Sequence, residues 1–302
     1  MGYMKIAVLM STYNGEKYLK EQLDSILKQD IDVDIIIRDD GSTDGTIKIL
    51  KKYESMGKLN WYQGKNLGPA KSFIDVLKKT NPYDFYAFAD QDDYWYESKI
   101  SRGVNMIKDL HGMCMYYSNA SIVDENRVKL GRTVYNKSPK TDICTLTCAG
   151  GILGCTMIIN QELANKIRNY KFPEKIVMHD FYISLICAIY SGTIVYDNRN
   201  GLDYRQHGNN VIGVDSGILS KLKGRIKTII TKSNVSIAEQ AMSIIDVYGN
   251  EIDGDIKEWL EKVAAYRNSI SGRIALAITG KTSYVNFNKA FTLRMAILLG
   301  NR

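Results

Sequence analysis

Asp90-Gln91-Asp92-Asp93 places three carboxylates within four positions, directly after the apolar run Phe85 to Ala89. An uninterrupted apolar run of that kind reads as a buried strand, and carboxylates crowded at its C-terminal end repel one another unless a cation sits among them. Hard divalent cations answer that description. Mg²⁺ and Mn²⁺ take oxygen ligands, commonly one or two carboxylates with water and nucleotide phosphates, so Asp-x-Asp at a strand end suits a metal–diphosphate clamp. A solvated acidic turn has the same composition. What the rest of the chain brings to that edge decides between them.

Three earlier segments repeat the arrangement of a strand, a polar loop and a helix. Ile6 to Met10 ends in Ser11-Thr12-Tyr13-Asn14-Gly15, Val33 to Arg38 ends in Asp39-Asp40-Gly41-Ser42-Thr43-Asp44-Gly45, and Leu59 to Gln63 ends in Gly64-Lys65-Asn66-Leu67-Gly68. Helical spacing follows each loop: Tyr18, Leu19, Leu23, Ile26 and Leu27 share one face, Ile47, Leu50 and Tyr53 another, and Ala70, Phe73, Ile74 and Leu77 a third. Pro69 suits the start of that third helix, where its missing N–H has no partner to lose. The alternation predicts a doubly wound, largely parallel α/β sheet, in which ligands bind outside the carboxyl ends of the strands. All four polar loops then lie on one edge, which favours a nucleotide site over four unrelated turns. The carboxylate of Asp40 has the chemistry to accept from the N3–H of uracil or thymine, and Tyr13 offers a stacking face. No G-x-G-x-x-G follows the first strand and no G-x-x-x-x-G-K-[ST] occurs, so dinucleotide-binding and P-loop readings lack their signatures.

Beyond Asp93, the pattern predicts a helix from Trp95 to Leu110, a strand at Met115 to Ser118, a polar loop over 124–142, and a strand at Cys155 to Ile159 followed by a helix from Gln161. The glycines between Leu146 and Asn160 permit either a close approach to a ligand or a tight turn. Met178-His179-Asp180-Phe181 opens a helix to about Tyr190, and Asp180 there is either a cap or a general base for a sugar hydroxyl. Thr193 to Val195 and Leu202 to Tyr204 read as short strands leading into Tyr204-Arg205-Gln206-His207-Gly208-Asn209-Asn210. His207 is either a structural histidine or, beside Arg205, completes a metal site and neutralises a diphosphate.

Composition excludes several classes. With 302 residues, 45% hydrophobic and 24% charged, the chain is globular in composition; its net charge of +7 fits an anionic substrate or anionic lipid, and no nucleic-acid-binding module is present. Cys114, Cys144, Cys148, Cys155 and Cys187 are odd in number and lack C-x-x-C spacing, which fits free thiols in a reducing cytoplasm. The N-terminal apolar run is too short for a signal peptide, and glycines or Ser191-Gly192 interrupt the longest uncharged stretches, so no membrane span is expected.

Taken together, STYNG at 11–15, DDGSTDGT at 39–46, N-x-G at 66–68, DQDD at 90–93, HD at 179–180 and YRQHGNN at 204–210 resemble the family-2 inverting glycosyltransferases of the GT-A fold. The last three motifs look most like the bacterial rhamnosyltransferase-like members that build capsule, O-antigen or wall polysaccharides. This resemblance implies a GT-A catalytic domain over residues 1–213 and a nucleotide-sugar donor, dTDP- or UDP-linked, held with Mn²⁺ or Mg²⁺. Ser11, Tyr13 and Asp40 would hold the base with Asp39 nearby, and Asp90 would lie by the ribose. Asn14, Gly68, Gln91 and Arg205 would join the nucleotide side. Asp92 would hold the metal with His207 as a further metal or diphosphate ligand, and Asp180 would be the catalytic base. The family motif often reads Glu-Asp where this chain has His179-Asp180, which keeps the carboxylate and leaves open what the preceding residue contacts. The implied reaction moves a sugar, L-rhamnose or another hexose, onto a hydroxyl of an oligosaccharide or lipid-linked glycan.

From 214 to 302 the pattern is helical. Ile218 to Ile230 interleaves apolar and basic residues, and Phe291 to Leu299 is a further apolar helix. Such helices pack on the catalytic domain or on a second subunit as a homodimer, or lie on an anionic membrane surface as a peripheral enzyme would at the inner face of the cytoplasmic membrane. A nucleotidyltransferase and a non-catalytic sugar-nucleotide-binding module are the competing classes. The first would carry a basic glycine-rich loop after β1 of the sheet, and STYNG has neither Lys nor Arg.

Overall fold

A computed structural model describes residues 4–207, 234–280 and 287–302. The strands form one sheet in the order β3-β2-β1-β4-β8-β6-β9-β5, with β7 paired to β6. The first four are β1 (Ile6–Thr12), β2 (Asp34–Asp39), β3 (Asn60–Gln63) and β4 (Phe85–Ala89). They run parallel, with Leu9 level with Ile36 on one side and Phe88 on the other. Helices α1 (Leu19–Ile26), α2 (Thr46–Ser55) and α3 (Gly68–Lys79) make the crossovers.

Both faces of β1 are covered, and its side chains divide with the two-residue period of a strand. Ala7 and Leu9 join Phe73, Phe88 and Tyr182 on one side. Ile6, Val8 and Met10 join Leu23, Ile37 and Val104 on the other. All five residues of β4 are buried, as a parallel strand between two helical layers requires.

The second half of the sheet is mixed, with β8 (Met157–Asn160) antiparallel to both β4 and β6 (Cys114–Val123), and β9 (Thr193–Arg205) parallel to β6. Here the sequence reading was too short or too plain. β6 runs on through Ser118, Asn119 and Ser121, and two of the three satisfy their polar atoms inside: Asn119 donates to Tyr135 O at 2.8 Å, and Ser121 Oγ accepts from Asn200. The two short strands expected at 193–204 are one strand, its pairing shifted around Ser118 and Asn119. The loop expected at 124–142 contains β7 (Lys129–Thr133). Tyr94–Trp95 forms β5 against β9, so the following helix, α4 (Lys99–Ile107), starts later than expected.

On the face that holds Leu9, α3 is joined by five further helices: α5 (Ile143–Ala149), α6 (Gln161–Arg168), α7 (His179–Ile189), α8 (Ile237–Tyr248) and α9 (Gly254–Ala265). Beyond them come α10 (Ile270–Ile278) and α11 (Phe287–Leu298). Ser236 and Glu239 make a reciprocal capping box at the start of α8, and the buried hydroxyls of Tyr182 and Tyr248 meet at 2.7 Å, tying α8 to α7. The expected helix over Ile218 to Ile230 lies outside the described residues, whereas Phe291 to Leu299 falls on α11. Four of the five free cysteines are buried. Among the described residues, no helix is long and apolar enough to cross a membrane.

Candidate active site

The four parallel strands end at one cleft of about 370 Å³. Ser11 and Tyr13 after β1, Asn66 and Gly68 before α3, and Asp90, Gln91 and Asp92 after β4 line one side. Leu153, Gly154, Met178, His179 and Asp180 line the other, reached through the α5–β8 and α6–α7 connections, with Tyr204 from β9. Tyr13 is 49% exposed, which leaves a ring face available for stacking.

Several residues expected at the nucleotide brace the loops. Asp39 is fully buried; its carboxylate accepts from the hydroxyls of Thr12 and Ser42 and from the backbone N–H of Gly41 and Ser42. Asn14, held at φ 48°, accepts from Thr43 N–H and gives its own N–H to Ser42, bracing the first loop against the second outside the cleft lining. Gln91 bonds both the N–H and the C=O of Tyr13, at 2.9 and 3.1 Å.

Asp40 reaches the cleft wall, but its carboxylate pairs with Arg38 and accepts from the backbone N–H groups of Leu67 and Gly68 at the start of α3. A base contacting it must share those oxygens. Arg205 is also committed, and it is not among the residues lining the cleft. Its guanidinium donates to Asp92 O and Glu125 O at 2.7 and 2.6 Å, pairs with Glu21 and lies over the ring of Tyr18. These contacts shape the Asp92 loop.

The acidic cluster has the character a divalent cation needs. Burial, then the charges of Asp92 and Asp180, push the carboxyl of Asp90 up to about 7. Asp92 meets His207 Nε2 at 2.7 Å, both side chains still partly exposed. A carboxylate and an imidazole at the rim of a crowded anionic site form a donor set that Mn²⁺ or Mg²⁺ accepts, and a cation there relieves the repulsion. Beneath this rim, ligand atoms of Asp90, Asp93 and Cys155 lie within 4.8 Å of one another. The Cys155 thiol is pushed well above its ordinary range by burial and by the two carboxylates. That keeps it a neutral donor to the carboxylates and a poor metal ligand.

Asp180 sits in the first turn of α7, facing the cleft, and accepts from the N–H of Gly154 at 3.0 Å. Burial pushes its carboxyl up to about 6, so near neutral pH it is ionised yet still basic enough to take a proton. His179 is buried against Phe73, with ring centroids 4.0 Å apart, and burial lowers its pKa to about 3, so it is a neutral, stacked wall. Sequence reasoning missed this apolar wall of Phe73, Leu153, Met178 and His179. The one available signal was the glycine at 154: a Cβ there would stand 2.3 Å from His179 Nε2.

This strand-end cleft with its acidic loop has counterparts. The model of the family described as glycosyl transferase family 2 matches residues 7–168. The dTDP-rhamnosyl transferase RfbG of Shigella flexneri is 31% identical over 231 residues, covering 71% of this chain and 77% of that protein. The chain belongs to glycosyl transferase family 2. As a family-2 enzyme it is a glycosyltransferase whose donor is a nucleotide sugar. The poly(ribitol-phosphate) β-N-acetylglucosaminyltransferase TarS of Staphylococcus aureus is 34% identical over 113 residues, 36% of this chain but only 20% of that protein.

Two solved structures place the family-2 fold in the GT-A type. TarS 1–349 from S. aureus in complex with UDP-GlcNAc superposes with a TM-score of 0.56 at 18% identity, over 91% of this chain and 81% of that one. The mannosyltransferase PcManGT from Pyrobaculum calidifontis, in complex with GDP-Man and Mn²⁺, gives 0.53 at 15% identity, over 100% and 86%.

Proposed function

We propose that this enzyme transfers a sugar, foremost L-rhamnose from dTDP-rhamnose and otherwise a hexose from a UDP-sugar, with inversion onto a hydroxyl of a growing bacterial surface polysaccharide. The observation that carries the reading is one carboxyl, Asp180, near 6 in the same cleft as the Asp90–Asp92 loop. The likeness to a dTDP-rhamnosyl transferase over most of both chains supports the donor. Residues 1–213 form the catalytic part in this reading and 214–302 a helical region that serves its attachment.

Tyr13 and Ser11 meet the base at the end of β1, while Asp90 faces the ribose. Asp180 accepts the proton of the acceptor hydroxyl, whose oxygen bonds to the anomeric carbon as the bond to the nucleoside diphosphate breaks on the opposite face. The electron pair leaves with the diphosphate, and configuration inverts. Asp92 and His207 are the residues that would hold Mn²⁺ or Mg²⁺, which when bound supplies charge stabilisation to the departing diphosphate. Gly154 N–H keeps the Asp180 carboxylate turned toward the acceptor side. The stacked Phe73 and His179 exclude water from beneath the sugar.

The acceptor in this reading is lipid-linked and presented at the inner face of the cytoplasmic membrane. A thermal-shift panel of dTDP-rhamnose, dTDP-glucose, UDP-glucose, UDP-galactose, UDP-N-acetylglucosamine and GDP-mannose, each with and without Mn²⁺, tests the donor. Stabilisation by dTDP-rhamnose that requires metal supports the proposal. Indifference to every donor would leave the Asp90–Asp93 loop as structure alone.

A further inference from the structure

The net charge of this protein lies at one end of its sequence. From Lys262 to Arg302 there are seven Lys and Arg and no Asp or Glu, so residues 1–261 balance at 33 cations and 33 anions and the whole net charge of +7 lies in the last 41 positions.

The same segment shows apolar surface where a helix normally shows polar residues. Ile270, Ile274 and Ile278 recur every fourth position along α10 and are 75%, 45% and 72% exposed. Leu276 and Ala277, on the inner side of the helix, are buried. α10 is therefore apolar both toward the protein and away from it, a pattern that calls for a partner on its outer side. α11 packs alongside and adds exposed Phe291 and Leu299.

We infer that the outer face of α10 is a docking surface for an anionic lipid bilayer. The charge distribution selects this occupant. A second copy meeting the same face about a two-fold axis would set two acid-free cationic segments against each other, whereas an anionic leaflet attracts both. The isoleucines enter the boundary between headgroups and acyl chains, and the net positive charge of the segment draws it to an anionic leaflet.

The position suits a lipid-linked acceptor, and the inference deepens that part of the proposed function. α9, next to α10, packs on α5, and Arg302 reaches the last carbonyls of α5, Cys148 O and Ala149 O, at 3.4 and 3.5 Å. From there the chain continues through Gly150 to Leu153 and Gly154 in the cleft wall.

The test is co-sedimentation of the full chain with vesicles of phosphatidylcholine alone or mixed with phosphatidylglycerol, at about 50 and about 500 mM NaCl. Binding is expected to the mixed vesicles only and to weaken with salt. The double variant Ile270→Glu with Ile278→Glu should lower partitioning by at least about tenfold. Phe291→Glu should weaken it less, and Met242→Glu, exposed on α8, should leave it unchanged.

Three results would overturn the inference. One is failure of the wild type to bind mixed vesicles, and another is equal binding by the double variant. The third is a dimer in sedimentation velocity that the double variant dissolves without any vesicle binding, which would make a second copy the occupant. Transfer to a water-soluble acceptor glycan, measured on the same samples, keeps the two readings apart: it should be equal in wild type and double variant. Its absence from both would count against the proposed reaction and leave the vesicle result standing.

Discussion

Replacing Asp180 with Asn separates the chemical role of that carboxyl from its cost to the fold. Burial moves it from an ordinary 3.8 to about 6. At ~1.4 kcal/mol per pH unit, ionising it in the folded state therefore costs about 3 kcal/mol. The sign follows from proton binding. Between pH 3.8 and 6 the native state holds the proton more tightly than the unfolded chain, so wild-type stability falls as pH rises through that window and levels off above it. Asn cannot ionise, and its side-chain oxygen can still accept from Gly154 N–H, although its amide nitrogen then replaces the oxygen that accepts from Phe181 N–H, which lowers the gain. The variant should therefore exceed the wild type in stability by about 1 kcal/mol at pH 4.5 and by about 3 kcal/mol at pH 7.5, with relaxation of the site making these upper values. Urea unfolding at the two pH values, with EDTA present, reads the difference. Sugar transfer should fall by about 10²- to 10⁴-fold, because Asn cannot accept the proton, while donor binding survives. In the wild type, kcat/KM should fall as pH drops through about 6. Near-normal transfer by the variant would refute the base assignment. A collapse of transfer with no pH-dependent gain in stability would refute the argument from burial.

Three further perturbations address other parts of the site. Asp92→Asn and His207→Ala should each raise the Mn²⁺ concentration needed for half-maximal transfer by at least roughly tenfold, read from titrations of EDTA-treated enzyme, and activity indifferent to EDTA would remove the metal from the scheme. Arg38→Met leaves the buried Asp40 without its cation and should cost about 3–5 kcal/mol in urea unfolding; a loss under about 1 kcal/mol would mean that the Leu67 and Gly68 amides suffice to hold that carboxylate. Gly154→Ala drives a Cβ into His179 and should lower kcat by about 10²-fold, through displacement of the wall beside Asp180, while costing about 1–3 kcal/mol in stability, so unchanged kinetics would show the wall to be pliable.

The parallel half of the fold was legible because its signals are local. An apolar run that stops at Ser11, Asp39, Gly64 or Asp90 announces both a strand and the edge at which it ends. The second half was not, since β6 and β9 carry buried polar residues whose partners lie far along the chain, such as Asn119 with Tyr135 and Tyr116 with Asp197, 16 and 81 positions apart. Residue type also hid the difference between touching a ligand and shaping the loop that does. Asp39, Asp40 and Arg205 carry the right charges for a nucleotide, yet the structure turns most of their hydrogen-bonding capacity toward backbone and neighbouring side chains. His179 read as the odd member of a motif because nothing in the sequence showed Phe73 lying flat against it.

The acidic loop after β4 is finished by residues that arrive much later. Asp93 accepts from Arg205 N–H, Arg205 donates to Asp92 O and His207 meets Asp92, across 112 to 115 positions of chain. A ribosome that has just released the first hundred residues has therefore made the strand ends at the cleft but not the residues that hold the acidic loop. β9 lies between β6 and β5, so the strand that completes this part of the sheet also brings Arg205 to the acidic loop, with His207 two residues further on. A chain that ends before β9 therefore lacks the partners that hold the Asp92–Asp93 loop in place.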